Sequence, residues 1–196
     1  MYSYAKMVIG YHIILTGYGH WLPNDPRGSL SQELHAPRLT PLGDVHYGLR
    51  ESQPAPQELR AFYQRAQQRL HYPLRWWNSA ERQGIGEAFG QVIAREDLTC
   101  HACAILRSHV HALFRKHHLK AEGISARLQD QARRVLKTQQ LISDHPVFSA
   151  DSCHHFKSKP AQMYETIEYI RGNYTKHNIA PIDFPFVSLY DGWPEN

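Results

Sequence analysis

Residues 98 to 115 read Leu-Thr-Cys-His-Ala-Cys-Ala-Ile-Leu-Arg-Ser-His-Val-His-Ala-Leu-Phe-Arg, two apolar runs on either side of Arg107-Ser108. Each run has the length of a strand and the break between them is that of a hairpin, so Leu98–Leu106 and His109–Arg115 are expected to pair. Successive side chains of a strand alternate faces, which makes His109 and His111 neighbours on one surface. That is the spacing of a chelating pair, and histidine is the commonest metal ligand. In a chain with 14 histidines the same spacing also arises among surface or hydrogen-bonded core residues. The pair alone leaves both readings open.

Outward from the hairpin, Val8 to Thr16 is β-branched and aromatic-rich and reads as a first strand. The glycines and prolines that follow, from Gly17 to Ser29, forbid regular structure, and an irregular insertion extends over about residues 17–56. Loops of that length usually carry function. Leu59, Phe62, Ala66 and Leu70 recur at helical spacing, as do Ile85, Phe89 and Val92, predicting helices over Gln57–His71 and Ala80–Glu96. Between them, Trp76-Trp77 is either core or a platform on which bases stack. A third helix is expected over Glu122–Thr138, with Ile124, Leu128, Val135 and Leu136 inward and Arg127, Arg133, Arg134 and Lys137 on its outer side. That basic side is a solvated face or a nucleic-acid contact. His145 to Lys157 reads as a short strand or hairpin, and Lys159-Pro160 opens a last helix with proline in its first turn. This order of elements describes one α+β domain across residues 1–196, an antiparallel sheet with helices packed on it.

The chain has 196 residues, 42% hydrophobic and 11% aromatic, enough for a real core. Its net charge of +4 and pI near 9.0 permit a polyanionic partner without requiring one. No apolar run reaches the length of a membrane span, and Met1-Tyr2-Ser3-Tyr4-Ala5-Lys6 lacks the core of a secretion signal, so no membrane association and a cytoplasmic location are expected. In that compartment the three cysteines stay reduced. Cys100-His101-Ala102-Cys103 and the Cys153-His154-His155 cluster together suggest zinc, but a strand over Leu98–Leu106 would send Cys100 and Cys103 to opposite faces. Buried thiols are the expectation.

On a helical wheel of the last helix, Met163, Ile167, Ile170 and Tyr174 fall within about 60° and define a core-facing stripe. Tyr169 and Asn173, four apart, lie roughly 90° to 130° from the middle of that stripe. A phenol and a carboxamide on one flank, with a histidine pair on a strand, supply a nucleophile and three neutral ligands for a divalent cation. Such a set can cleave a phosphodiester through a covalent phosphotyrosine. Tyr174 is the alternative nucleophile, although its place on the apolar stripe suits packing.

His109-Val110-His111 resembles the signature of the HUH single-tyrosine transposases, specifically their REP-associated branch, and Tyr169-Ile170-Arg171-Gly172-Asn173 resembles that branch's Tyr-Ile-x-x-Asn helix. The stretches Tyr18-Gly19-His20-Trp21-Leu22-Pro23-Asn24-Asp25-Pro26-Arg27-Gly28-Ser29 and Phe186-Val187-Ser188-Leu189-Tyr190-Asp191-Gly192-Trp193-Pro194 are similar to its members as well. The resemblance implies a ferredoxin-like fold with the HUH strand central in the antiparallel sheet. It implies a single-stranded DNA substrate folded as a hairpin, Mg²⁺ or Mn²⁺, and DNA transposition or recombination by strand cleavage and rejoining through a 5′-phosphotyrosine. Carried over by motif, His109, His111 and Asn173 are metal ligands and Tyr169 the nucleophile. Related members form homodimers, while others in this branch act as monomers. The loop from Tyr18 to Ser29 is then the expected DNA surface, with Arg27 a phosphate contact and Trp21 either stacking a base or filling core. A descendant that binds hairpin nucleic acid without cleaving it is the second functional reading. The family carries Asn before the first histidine and Pro after the helix asparagine; here Ser108 and Tyr174 stand there, which lets the last helix run on.

Overall fold

The computed structural model describes residues 7–29, 32–33 and 36–194. Met1–Lys6, in which no secretion signal was read, lie outside the described residues. Four strands, β1 (Gly10–Gly17), β2 (Cys100–Ile105), β3 (His109–Arg115) and β4 (Phe148–Lys157), form one sheet in the order β2-β3-β1-β4. All neighbours are antiparallel. The helices are α1 (Pro56–Gln67), α2 (Ser79–Arg95), α3 (Ala121–Thr138) and α4 (Pro160–Lys176), and a 3₁₀ helix spans Pro37–Leu42. Between β1 and β2 the chain passes through α2, and between β3 and β4 through α3. This is the ferredoxin-like order, with β3 interior as expected and α4 added after β4.

Strand parity sorts the side chains into two layers. Tyr11, Ile13 and Leu15 of β1 meet Val110, Ala112 and Phe114 of β3 beneath α2 and α3, whose Ile85, Phe89, Val92, Ile124 and Leu128 are buried against them. On the other face, Ala102, Ala104 and Leu113 receive Met163, Ile167, Ile170 and Tyr174 of α4, the stripe read from the wheel. Helix α2 starts at a capping box, in which the Asn78 side chain accepts from the Glu81 amide and the Glu81 carboxylate accepts from the Asn78 amide. The irregular insertion builds a small core of its own, in which Leu22, Leu39 and Leu42 close over Phe62 and Ala66 of α1.

Two expectations are corrected, the end of α1 and the facing of the β2 cysteines, and two open readings are resolved. Helix α1 ends at Gln67, not His71, in a turn that returns the Arg69 and Leu70 amides to the Ala66 carbonyl and lets Leu70 pack against the core of the insertion. His145–Lys157 resolves into a single strand that begins at Phe148. Cys100 and Cys103 do not face opposite ways: the β2 register slips between Cys100 and Ala102, inserting an extra residue, and both thiols enter the α2–α3 core. The tandem tryptophans separate, Trp77 being 1% exposed and packed on Phe148 while Trp76 is 59% exposed. Among the described residues no helix is long and apolar enough to cross a membrane.

The separation of the tryptophans is measurable. Trp77→Ala should cost about 3–5 kcal/mol in urea unfolding, whereas Trp76→Ala should change stability by less than roughly 0.5 kcal/mol.

Candidate functional site

The face of the sheet that carries α4 is apolar along β2 and becomes polar along β3, β1 and β4. His109 pairs in register with Thr16, and His111 with Ile14. Parity brings His12 of β1 to the same face, and His155 of β4 lies opposite His12. The Ala102 and Ala104 side chains of β2 are small enough for α4 to approach closely there. With its stripe seated, α4 carries Tyr169 over the histidines: its ring centroid lies 5.4 Å from His111 and 6.1 Å from His12, both edge to face. Tyr169 is 50% exposed, so its phenol is reachable from solvent. Asn173 is buried, and its amide nitrogen donates to the Tyr169 carbonyl at 2.8 Å. The carboxamide oxygen is the end left for ligation.

The histidines hold one another. His12 Nε2 and His111 Nδ1 are 3.0 Å apart, and the His109 ring lies 5.0 Å from His111 and 5.3 Å from His177, just past the end of α4. Ser108 Oγ is within hydrogen-bond distance of His109 Nδ1 at 3.1 Å. Burial, reinforced by the neighbouring imidazoles, pushes His109 and His111 down to about 3. Burial, with Lys157 and His155 adding to it, does the same to His12. All three are therefore neutral near pH 7, with lone pairs that can ligate a cation. Two imidazoles and a carboxamide oxygen suit a divalent cation that takes nitrogen and oxygen donors and completes its shell with water or phosphate. Among the described residues no group of three or more His, Cys, Asp or Glu side chains is arranged to hold a metal, so the candidate set depends on Asn173.

Tyr174 lies in the apolar stripe, nearly buried, and its hydroxyl accepts the Ile105 amide at 3.2 Å. The helix runs three residues beyond Asn173, and Tyr174 is used for packing. The cysteines do not converge. Burial raises Cys100 to about 12 and Cys153 to about 11. Cys153 lies 3.3 Å from His155 on the α4 side, while the other two thiols sit in the opposite core.

Beside His109, the loop after β1 forms a braced ledge. Asp25 is fully buried and binds the Arg27 guanidinium through both carboxylate oxygens, with Tyr63 donating to the same group. Arg27 in turn lies 3.6 Å over the Trp21 ring, and Trp21 adopts φ +53° with 37% of its surface exposed. His20 Nε2 donates to the Arg75 carbonyl, and the ring contacts Trp76 at 4.5 Å between centroids. Trp21 thus fills no core, and Arg27 is held by the protein's own carboxylate. Both Arg27 and His20 are near enough to depress His109 further.

Helix α3 is not brought to this site. It packs with α2 on the opposite face of the sheet. There Arg127 pairs with Glu96, Arg134 with Asp130 and Lys137 with Asp144, and Arg133 is exposed. The residues that sequence reasoning missed are His12 and His177, while His155 was read only as part of a zinc cluster. A lone histidine within Tyr-His-Ile-Ile-Leu was a signal for His12, but which face of the sheet it shared depended on a pairing more than ninety residues away.

The chain matches no family model and no curated protein. Among solved structures it is similar to a REP-associated tyrosine transposase bound to a REP hairpin, with TM-score 0.47 and 10% identity over 92% of this chain and 76% of that one. It is also similar to a protein from Deinococcus radiodurans R1 assigned as a transposase, with TM-score 0.40 and 15% identity over 86% of this chain and 95% of that one.

The neutral histidines have a consequence for stability. A histidine whose folded pKa lies below its unfolded value near 6.5 contributes stability that is present above that value and is lost as pH falls toward about 3. Unfolding free energies from urea titrations should be flat above pH 7 and fall below pH 6, by up to about 1.4 kcal/mol per pH unit for each such group. His109→Gln combined with His111→Gln should flatten that fall.

Proposed function

We propose that the chain is a metal-dependent DNA strand-cleaving and rejoining enzyme of the single-tyrosine HUH type, acting on single-stranded DNA that carries a hairpin. The observation that carries this reading is the solvent-reachable phenol of Tyr169 standing over the neutral His12–His111 pair, with Asn173 one turn away on the same helix. The buried apolar residues of α4, Met163, Ile167, Ile170 and Tyr174, form a stripe apart from the flank that carries Tyr169.

The Tyr169 oxygen attacks phosphorus of a phosphodiester, forming a P–O bond as the bond to the 3′ oxygen breaks. The phenol proton passes to water, and the departing 3′ oxygen takes one up, leaving a free 3′ hydroxyl and a 5′ phosphate esterified to Tyr169. Rejoining is the reverse, a 3′ hydroxyl attacking the phosphotyrosine and returning the phenol. A tyrosine with its usual pKa near 10 is a weak nucleophile, so positioning has to lower the barrier. Mg²⁺ or Mn²⁺ held by His109, His111 and Asn173 would supply Lewis-acid polarisation of the phosphate. Trp21, backed by Arg27, and the exposed Trp76 offer unpaired bases a stacking surface beside His109.

The test is an incubation of labelled hairpins from the DNA flanking the gene with Mn²⁺ or EDTA, resolved on a denaturing protein gel. Wild type and Tyr174→Phe should form a metal-dependent covalent adduct, while Tyr169→Phe should form none and still shift the hairpin in a native gel. An adduct that persists in Tyr169→Phe would refute the assignment. Binding without any adduct by wild type would instead make the chain a hairpin-binding module.

A further inference from the structure

His12 is used by none of the steps above, yet its Nε2 lies within hydrogen-bond distance of a ring nitrogen of His111, a proposed ligand. It sits in the middle of β1, 5% exposed, on the sheet face that carries His111. The two rings are 5.2 Å apart and inclined by 32°, with His12 Nε2 and His111 Nδ1 at 3.0 Å. The His12 ring is flanked by His155 at 5.7 Å and by Tyr169 at 6.1 Å between centroids, which restricts its rotation.

Two neutral imidazole nitrogens at this distance share one hydrogen, so one ring donates and the other accepts. If His12 Nε2 carried it, His111 Nδ1 would be consumed as an acceptor, and its own hydrogen would lie on Nε2. Neither nitrogen of His111 could then ligate. If His111 Nδ1 carries it, the lone pair on His111 Nε2 is free. Metal-binding histidines are ordinarily fixed in this way, by an acceptor for the hydrogen of the nitrogen that does not bind.

We propose that His12 is a positioning residue for His111: its Nε2 accepts the Nδ1 hydrogen of His111 and holds that ring in the tautomer whose Nε2 can take a divalent cation. The cation's role rests on the function proposed above; the tautomer does not. His12 therefore has a different task from His109 although both face the same ring. Its ring is committed to His111.

Two measurements test this. In ¹⁵N-labelled, metal-free wild type, the His111 imidazole nitrogens, assigned against His111→Gln, should show a protonated Nδ1 and an unprotonated Nε2; the reverse pattern would overturn the proposal. Mn²⁺ alone, titrated by EPR of the free ion, should bind His12→Leu about 10- to 100-fold more weakly than wild type. His12→Gln, whose carboxamide oxygen can stand where Nε2 stood, should recover most of the loss. Wild-type affinity in His12→Leu would overturn the proposal, as would failure of His12→Gln to rescue while its circular dichroism and melting match wild type. If wild type binds no Mn²⁺ yet shows the Nδ1-protonated His111, the tautomer hold stands and the metal reading of the site fails.

Discussion

The seating of α4 on the sheet fixes everything that can act in this protein. Met163, Ile167, Ile170 and Tyr174 enter the surface made by Ala102, Ala104 and Leu113, and their burial sets the rotation of the helix about its axis. Gly10 is part of the arrangement: a Cβ there would run into the Met163 sulfur, so glycine on β1 leaves room for that side chain where it sits. Once the stripe is seated, Tyr169 and Asn173 have no freedom in where they face. The Tyr174 hydroxyl, accepting from the Ile105 amide, ties the end of the same stripe to the edge strand β2.

The position of the histidines has an energetic cost and a chemical return. Placing His12, His109 and His111 together in a largely buried layer makes protonation of any of them unfavourable, through desolvation and mutual repulsion. A protonated imidazole is no ligand and no acceptor. The burial that weakens the fold in acid is thus the same burial that keeps these rings in the form a metal site uses. On the opposite face, the layer beneath α2 and α3 holds two buried thiols and the apolar bulk of the core, and it carries the stability that a polar histidine layer cannot.

The loop after β1 solves a different problem. A long irregular segment has little periodic structure to hold it, and here Asp25 serves as an internal post to which Arg27 and Tyr63 both attach. Gly28, at φ +93° and with the Gly48 carbonyl packed where a Cβ would stand, lets the returning strand of the loop close. The result is a fixed ledge that presents Trp21 rather than burying it. Arg27, which as a sequence looked like a cation offered to a phosphate, is here the brace between a buried carboxylate and an exposed indole.

Local pattern was enough to place the strand with His109 and His111, the three long helices of the two layers and, through the wheel of α4, which of its two tyrosines packs and which stands on the flank. These follow from side-chain periodicity within ten to eighteen residues, and nothing distant alters it. What tertiary structure alone decided was everything set by pairing between distant segments. His12 joins His111 because β1 lies beside β3 in one particular register, and no feature of β1 specifies that register. The bulge in β2 reverses the facing of Cys100 relative to Cys103, Trp76 and Trp77 part because only one lies over Phe148, and the basic side of α3 ends up across the sheet from the histidines. Periodicity says which side of an element is apolar. Only the packed chain says what that side, and the one opposite, will meet.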